Sequence, residues 1–151
     1  MSELVAVRRV PAVPDELIRQ KEITHALAAR IVRDHSSMIG RKRYVHVAGA
    51  TMLAGAFGYH VREVGAERID IGGVGGWQAT CEIVTTDGRV LGRGSSICMD
   101  DEKEWGNRPM FARRAMASTR SAGRALRLLF GHMFTMLGDD VASVTKEEMP
   151  D

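Results

Sequence analysis

Six arginines fall within the 34 residues from Trp105 to Gly138, and no aspartate or glutamate does. Four of them, Arg113, Arg120, Arg124 and Arg127, are spaced 7, 4 and 3 apart. On an α-helix that spacing places them on one face, as a stripe about 21 Å long at about 1.5 Å per residue. Guanidinium groups so close repel one another unless an anion lies across them. The chemistry suggested is grip on a polyanion through phosphate contacts. The bland alternative is a solvated face balanced by neighbouring acids, and it stays open at this point.

Other groups offer less. Asp100, Asp101, Glu102 and Glu104 could hold Mg²⁺ as in a nuclease, but no Lys or His stands at nuclease-like spacing beside them. The run Gly72-Gly73-Val74-Gly75-Gly76 lacks a following Lys-Ser or Lys-Thr and opens no predicted helix, so it reads as a hairpin turn and not a phosphate loop. His25, His35, His46, His60 and His132 form no pair at zinc-ligand spacing. Ser95, Ser96 and Ser118 sit in no nucleophile context. Cys81 and Cys98 fall in predicted strands at no metal spacing, and read as buried free thiols. No catalytic residue, metal or cofactor is expected.

Net charge is only +2, yet the charge is segregated. Residues 1–43 carry +4, residues 44–104 carry −4, residues 105–138 carry +6 and residues 139–151 carry −4. The total does not suggest nucleic acid; the distribution does. The first residues, Met1-Ser2-Glu3-Leu4, lack the basic start and apolar core of a signal peptide, and no stretch has the length of a membrane span. A cytoplasmic location is the expectation.

These residues need a scaffold. Residues 1–13 read as a flexible arm, 14–138 as one domain and 139–151 as a mobile acidic tail. Pro14-Asp15-Glu16 starts a predicted helix that runs to about residue 33. A loop containing Ser36 and Ser37 follows. Arg41-Lys42-Arg43 leads into a short extended segment, and Ala48 to Phe57 reads as a helix stopped by Gly58. Tyr59 to Val64 and Arg68 to Ile71 look extended. Trp77, Ala79, Cys81 and Ile83 alternate with polar residues, as in a half-buried strand. Asp87-Gly88 signals a two-residue hairpin before the strand from Arg89 to Met99. A long helix is predicted from near Arg108-Pro109 to Leu137, with an apolar face that includes Ala115, Ala122, Leu126, Leu129, Met133 and Met136. Phe57, Phe111, Phe130 and Phe134 read as core. The fold class is α+β: an antiparallel β-meander of three or more strands packed against one long helix, with an N-terminal helix.

The order Phe57-Gly58-Tyr59, β-meander with an Asp87-Gly88 turn, and long helix carrying Thr119-Arg120-Ser121-Ala122-Gly123-Arg124-Ala125-Leu126-Arg127-Leu128-Leu129-Phe130-Gly131 resembles the single-strand annealing proteins of the Rad-fifty-two type. Trp105-Gly106-Asn107-Arg108-Pro109 and Glu147-Glu148-Met149-Pro150 resemble its phage and prokaryotic branch. The resemblance covers about residues 40–149.

It implies a β-β-β-α core that assembles into rings or arcs, with single-stranded DNA in a basic outer groove. It implies ATP-independent annealing of complementary strands in recombination and repair, in a bacterial or phage-infected cell. The DNA-binding residues it implies directly are Arg124 and Arg127. Gly123 stands where eukaryotic members have a lysine, and Arg120 or Arg113 would compensate. Arg41, Lys42, Arg43 and the hairpin residues Arg89 and Arg93 are further candidates. Expected partners are single-stranded DNA, further copies of the chain, and a host single-strand-binding protein or phage exonuclease. The alternatives are an RNA-binding or regulatory module, a Mg²⁺-dependent nuclease using Asp100, Asp101 and Glu104, and a structural stripe in which Arg113 to Arg127 pair with acids such as Asp139, Asp140 or Asp100–Glu104 of a neighbouring subunit.

Overall fold

The computed structural model describes residues 15–149, so the expected arm at 1–13 lies outside the described residues. Helix α1 spans Asp15–Asp34, strands β1 and β2 span Ser36–Ile39 and Lys42–Val45, and helix α2 spans Val47–Ala56. Strands β3, β4 and β5 span His60–Ile71, Val74–Val84 and Val90–Met99, followed by helix α3 at Met110–Thr135. A 3-10 turn, Lys146–Glu148, closes the chain. The class is α+β. The three long strands form an antiparallel sheet in the order β3-β4-β5, and α3 lies across one face of it.

Alternation along β4 sets which face α3 covers. Ala79, Cys81 and Ile83 are buried, while Gln78 and Thr80 are only partly so; Glu82, also outward in the alternation, is buried for a separate reason. Ile83 joins Leu126, Phe130, Leu53, Ile31 and Val45 in the main core; Ala79, Cys98 and Ala117 form a second cluster beside Trp77 and Trp105. Contact between β5 and α3 is close because Gly94 has no side chain. A Cβ there would sit 2.5 Å from the backbone nitrogen of Ala125.

The turns are built by glycine. Ile71 pairs with Val74, leaving Gly72 and Gly73 as a two-residue hairpin with φ of +61° and +86°. The Asp87-Gly88 turn is longer than expected. Val84 pairs with Val90, and the Thr85 and Arg89 backbones still meet, leaving a three-residue loop with Gly88 at φ +85°. Thr85 Oγ1 also accepts from the Arg89 amide at 3.0 Å, which fixes that loop. The two extended pieces expected after Gly58 are one strand, β3, with a register shift between Glu63 and Gly65. Ser36 and Ser37 lie in β1 and not in a loop, because residues 36–39 find partners in 42–45 across Gly40.

The largest correction concerns the segment after α3. It was expected to be a separate acidic tail, yet Val141, Ala142 and Thr145 are buried. Val141 forms a parallel bridge with Arg43, the Arg43 amide donates to Asp140 O at 2.7 Å, and the Ala142 amide donates to Arg43 O at 2.8 Å. Thr145 and Glu148 cap the 3-10 turn. The Val47 amide, at the start of α2, donates to Glu147 Oε2 at 2.9 Å. Of the acids here, Glu147 is held by the distant Val47 amide, and Glu148 by Thr145 and the distant Arg127. The packed unit therefore continues through residue 149.

Candidate nucleic-acid interface

Helix α3 presents its arginines to several different neighbours. At its start, Arg113 pairs with Asp100 (Nε to Oδ1, 2.9 Å) and donates to the Gly106 and Arg108 carbonyls. Asp100 is gripped from its other side by Arg68, at 2.7 and 3.1 Å. Arg114 pairs with Glu63 at 3.2 Å. Arg120 is only 7% exposed. Its Nη1 donates to Ile97 O and to Glu102, and its Nε donates to Glu147 O at 3.1 Å. Arg127 lies 3.4 Å from Glu148. The run that holds no acid in sequence thus receives acids from β3, from the 100–104 loop and from the closing segment.

Arg113 and Arg120 were expected to support a strand on the helix face. Arg120 is instead a buried structural cation, and Arg113 is largely covered. A guanidinium can be withdrawn from water only where carboxylates and carbonyls replace its hydration, and both have such partners. Arg124 differs. It is exposed and has no ion pair among the described residues. Arg108 lies over the Trp105 ring at 5.0 Å.

The β1–β2 hairpin joins the same side. Gly131 approaches Ser143 and the stem of Arg127; a Cβ there would lie 3.2 Å from Ser143 O and 3.3 Å from Arg127 Cγ. Ser143 in turn lines a cavity of about 370 Å³ together with Lys42, Tyr44, Thr135 and Met149. Gly131 thus links the Arg127 stem to Ser143, and Ser143 shares its cavity with Lys42, while Arg124 lies three residues before Arg127 on α3. Arg41 and Lys42 are exposed at the hairpin tip, while Arg43 is half-buried and donates to Ser36 Oγ at 3.1 Å.

Arg93 is not brought to this surface. It sits on the sheet face opposite α3, where it and Arg62 flank Glu82 in register across three strands. Glu82 is 3% exposed although it lies on the uncovered face, since the two arginine side chains roof it. Nothing in the alternation of β4 marks this residue, because it occupies an outward position. Only the cross-strand pairing does.

Several carboxyls are shifted by these contacts. The Arg68 hydrogen bonds, with Arg113 beside them, hold Asp100 below the usual carboxylate range. The Ser118 hydroxyl, followed by Arg114, does so for Glu63, and Arg62 with Arg93 does so for Glu82. Burial pushes the Cys81 thiol up, and burial together with Glu102 pushes Cys98 up to about 12. Both thiols are free, buried and protonated at neutral pH, which makes them poor nucleophiles. Among the described residues no group of three or more His, Cys, Asp or Glu is arranged to hold a metal ion. In the acidic loop, Asp100 and Glu102 are engaged by arginines. No helix among the described residues is long and apolar enough to cross a membrane.

Comparison of the chain with protein-family models, curated proteins and solved structures found no match.

Proposed function

We propose that this chain binds single-stranded DNA through backbone phosphates and anneals complementary strands without ATP. The observation that carries this reading is the exposed Arg124, which has no ion pair among the described residues, with Arg127 one turn on along α3 and Lys42 exposed at the hairpin tip. Arg41 extends the line at the hairpin tip. Phosphate contacts order a strand without covering the pairing edges of its bases, and annealing requires nothing more of the protein. A short row of cations binds weakly alone, so repetition in a homo-oligomer would supply avidity.

The test is anisotropy of a labelled single strand, with annealing of complementary strands followed in parallel. Arg124→Ala with Lys42→Ala is expected to weaken binding at least tenfold. The wild-type log affinity is expected to fall with log salt by about 0.7 per contacted phosphate. Both residues are exposed, so the melting temperature is expected to hold and to serve as the folding control. Unchanged binding and annealing by a folded double variant would overturn the proposal. An RNA competitor that displaces the labelled strand more effectively than DNA would redirect it to the RNA-binding alternative.

A further inference from the structure

The cavity of about 370 Å³ between β2 and the segment after α3 carries two opposite charges in its walls that do not meet. Lys42 and Tyr44 come from β2, two positions apart and so on one face of the strand. Asp139 and Ser143 stand at the two ends of the stretch that Arg43 holds against β2, through the Asp140 carbonyl and the Ala142 amide. Thr135 and Met149 add a hydroxyl and a thioether. Lys42 and Asp139 make no ion pair with each other or with any other described residue. The Tyr44 and Ser143 hydroxyls have no hydrogen-bond partner among the described residues. A cation and a carboxylate held apart in one small cavity are bridged by a ligand that offers an acceptor to the first and donors to the second. The volume is at the small end for a ligand cavity, enough for one base-sized ring system.

We propose that this cavity takes one base of the bound strand, and that guanine fits it best. The proposal rests on the strand-binding reading and adds a base subsite to it. Three observations favour a nucleotide as the bridging ligand. Lys42 is a phosphate contact of that reading, and Gly131 brings Ser143, in the cavity wall, against the stem of Arg127. Tyr44 is half-buried in β2, which gives a base a fixed aromatic wall to stack on. The Asp139 carboxylate accepts only, and guanine presents its ring N–H and its exocyclic amine side by side to the two oxygens. Adenine and cytosine offer the amine alone, and thymine places carbonyl oxygens on both sides of its single N–H. One base held per copy fixes the register of the strand and leaves its neighbours free to pair. A complementary strand competes for the same edge of that guanine, so pairing withdraws the base and loosens the duplex from the protein.

The test compares two labelled strands of equal length on the full chain at one salt concentration. One strand is thymine only; the other carries isolated guanines among thymines. Wild type is expected to bind the second about tenfold more tightly, the discrimination one bidentate base contact supplies. Asp139→Ala, at an exposed position, is expected to bind the two strands equally. A thymine strand with a single 2-aminopurine gives a second readout. Its fluorescence is expected to be quenched on wild type by stacking on Tyr44, and to stay bright on Tyr44→Leu, with circular dichroism and melting as the folding control. Equal affinity of wild type for both strands would overturn the proposal. So would a guanine preference that survives Asp139→Ala, or a 2-aminopurine that stays bright on wild type. Binding without preference removes this subsite and leaves the strand-binding reading standing; absence of binding to either strand removes both.

Discussion

Arg120 and Arg124 lie four residues apart on one helix and have opposite surroundings. Arg120 bridges Glu102, the Ile97 carbonyl and the Glu147 carbonyl, while Arg124 faces solvent. Removing a buried cation strands its partners, so Arg120→Ala is expected to cost about 3–5 kcal/mol in urea unfolding. Arg124→Ala is expected to stay within about 0.5 kcal/mol. If the two cost the same, the burial assigned to Arg120 is wrong. A loss of binding in Arg120→Ala would accordingly report folding as much as contact. Glu63, Glu82 and Asp100 have carboxyls lowered in the folded state, so on acidification the unfolded chain takes up their protons first. Their stabilisation is complete above the unfolded carboxylate range and fades as pH falls through their folded values. Thermal melts are expected to drop from about pH 5 downward. Glu82→Gln is expected to make that drop shallower, and an identical acid profile would remove Glu82 from the account.

At the scale of elements, two close approaches decide how α3 is seated. Gly94 brings β5 onto the backbone of α3, and Gly123 brings Thr145 and Val47 onto its flank, where a Cβ would meet Thr145 Oγ1 at 2.4 Å. By propensity alone Gly123→Ala should stabilise the helix by about 1 kcal/mol. Packing outweighs propensity here, because Thr145 is buried and tied to Glu148. A net loss of about 1–3 kcal/mol is expected for Gly123→Ala, and a loss at the upper end of that range for Gly94→Ala, where the obstacle is backbone. A stabilised Gly123→Ala would show that the closing segment yields. Helix α2 has no side-chain cap from His46; the carboxylate of Glu147 takes that place from a hundred residues away. Glu147→Ala is expected to lower stability by about 1 kcal/mol in denaturant unfolding.

For the whole molecule, the acidic segment after α3 belongs to the cooperative unit. It ties α3, the β1–β2 hairpin and the start of α2 together. A chain ending at Gly138 would expose the Gly123 flank, take the Glu147 carbonyl from Arg120 and release Arg127 from Glu148. Its melting temperature is expected to fall by about 5 °C or more. An unchanged melt would return residues 139–149 to the status of a tail. Much of the positive charge of α3 is thus compensated in space by acids from β3, the 100–104 loop and the closing segment, and Arg124 stays exposed.

Strand β1, the continuity of β3 and the length of the Asp87-Gly88 loop apart, the sequence by itself determined the α+β class, the long helix after Pro109, the places of the glycine turns and the buried face of β4. These depend on contacts between residues a few positions apart, and periodicity and turn chemistry record such contacts directly. It also marked α3 as the cationic element. What it could not carry was the fate of each arginine. Arg113 meets Asp100 across 13 residues, Arg120 meets Glu102 across 18, and Arg114 meets Glu63 across 51. Phe111 shares the aromatic character of Phe130 and Phe134, yet it lies in solvent while they lie in the core. Pairing and burial of this kind depend on where the sheet, the acidic loop and the closing segment come to rest against α3. Only the tertiary structure decides that, because an ion pair forms by proximity in space and leaves no period in the chain.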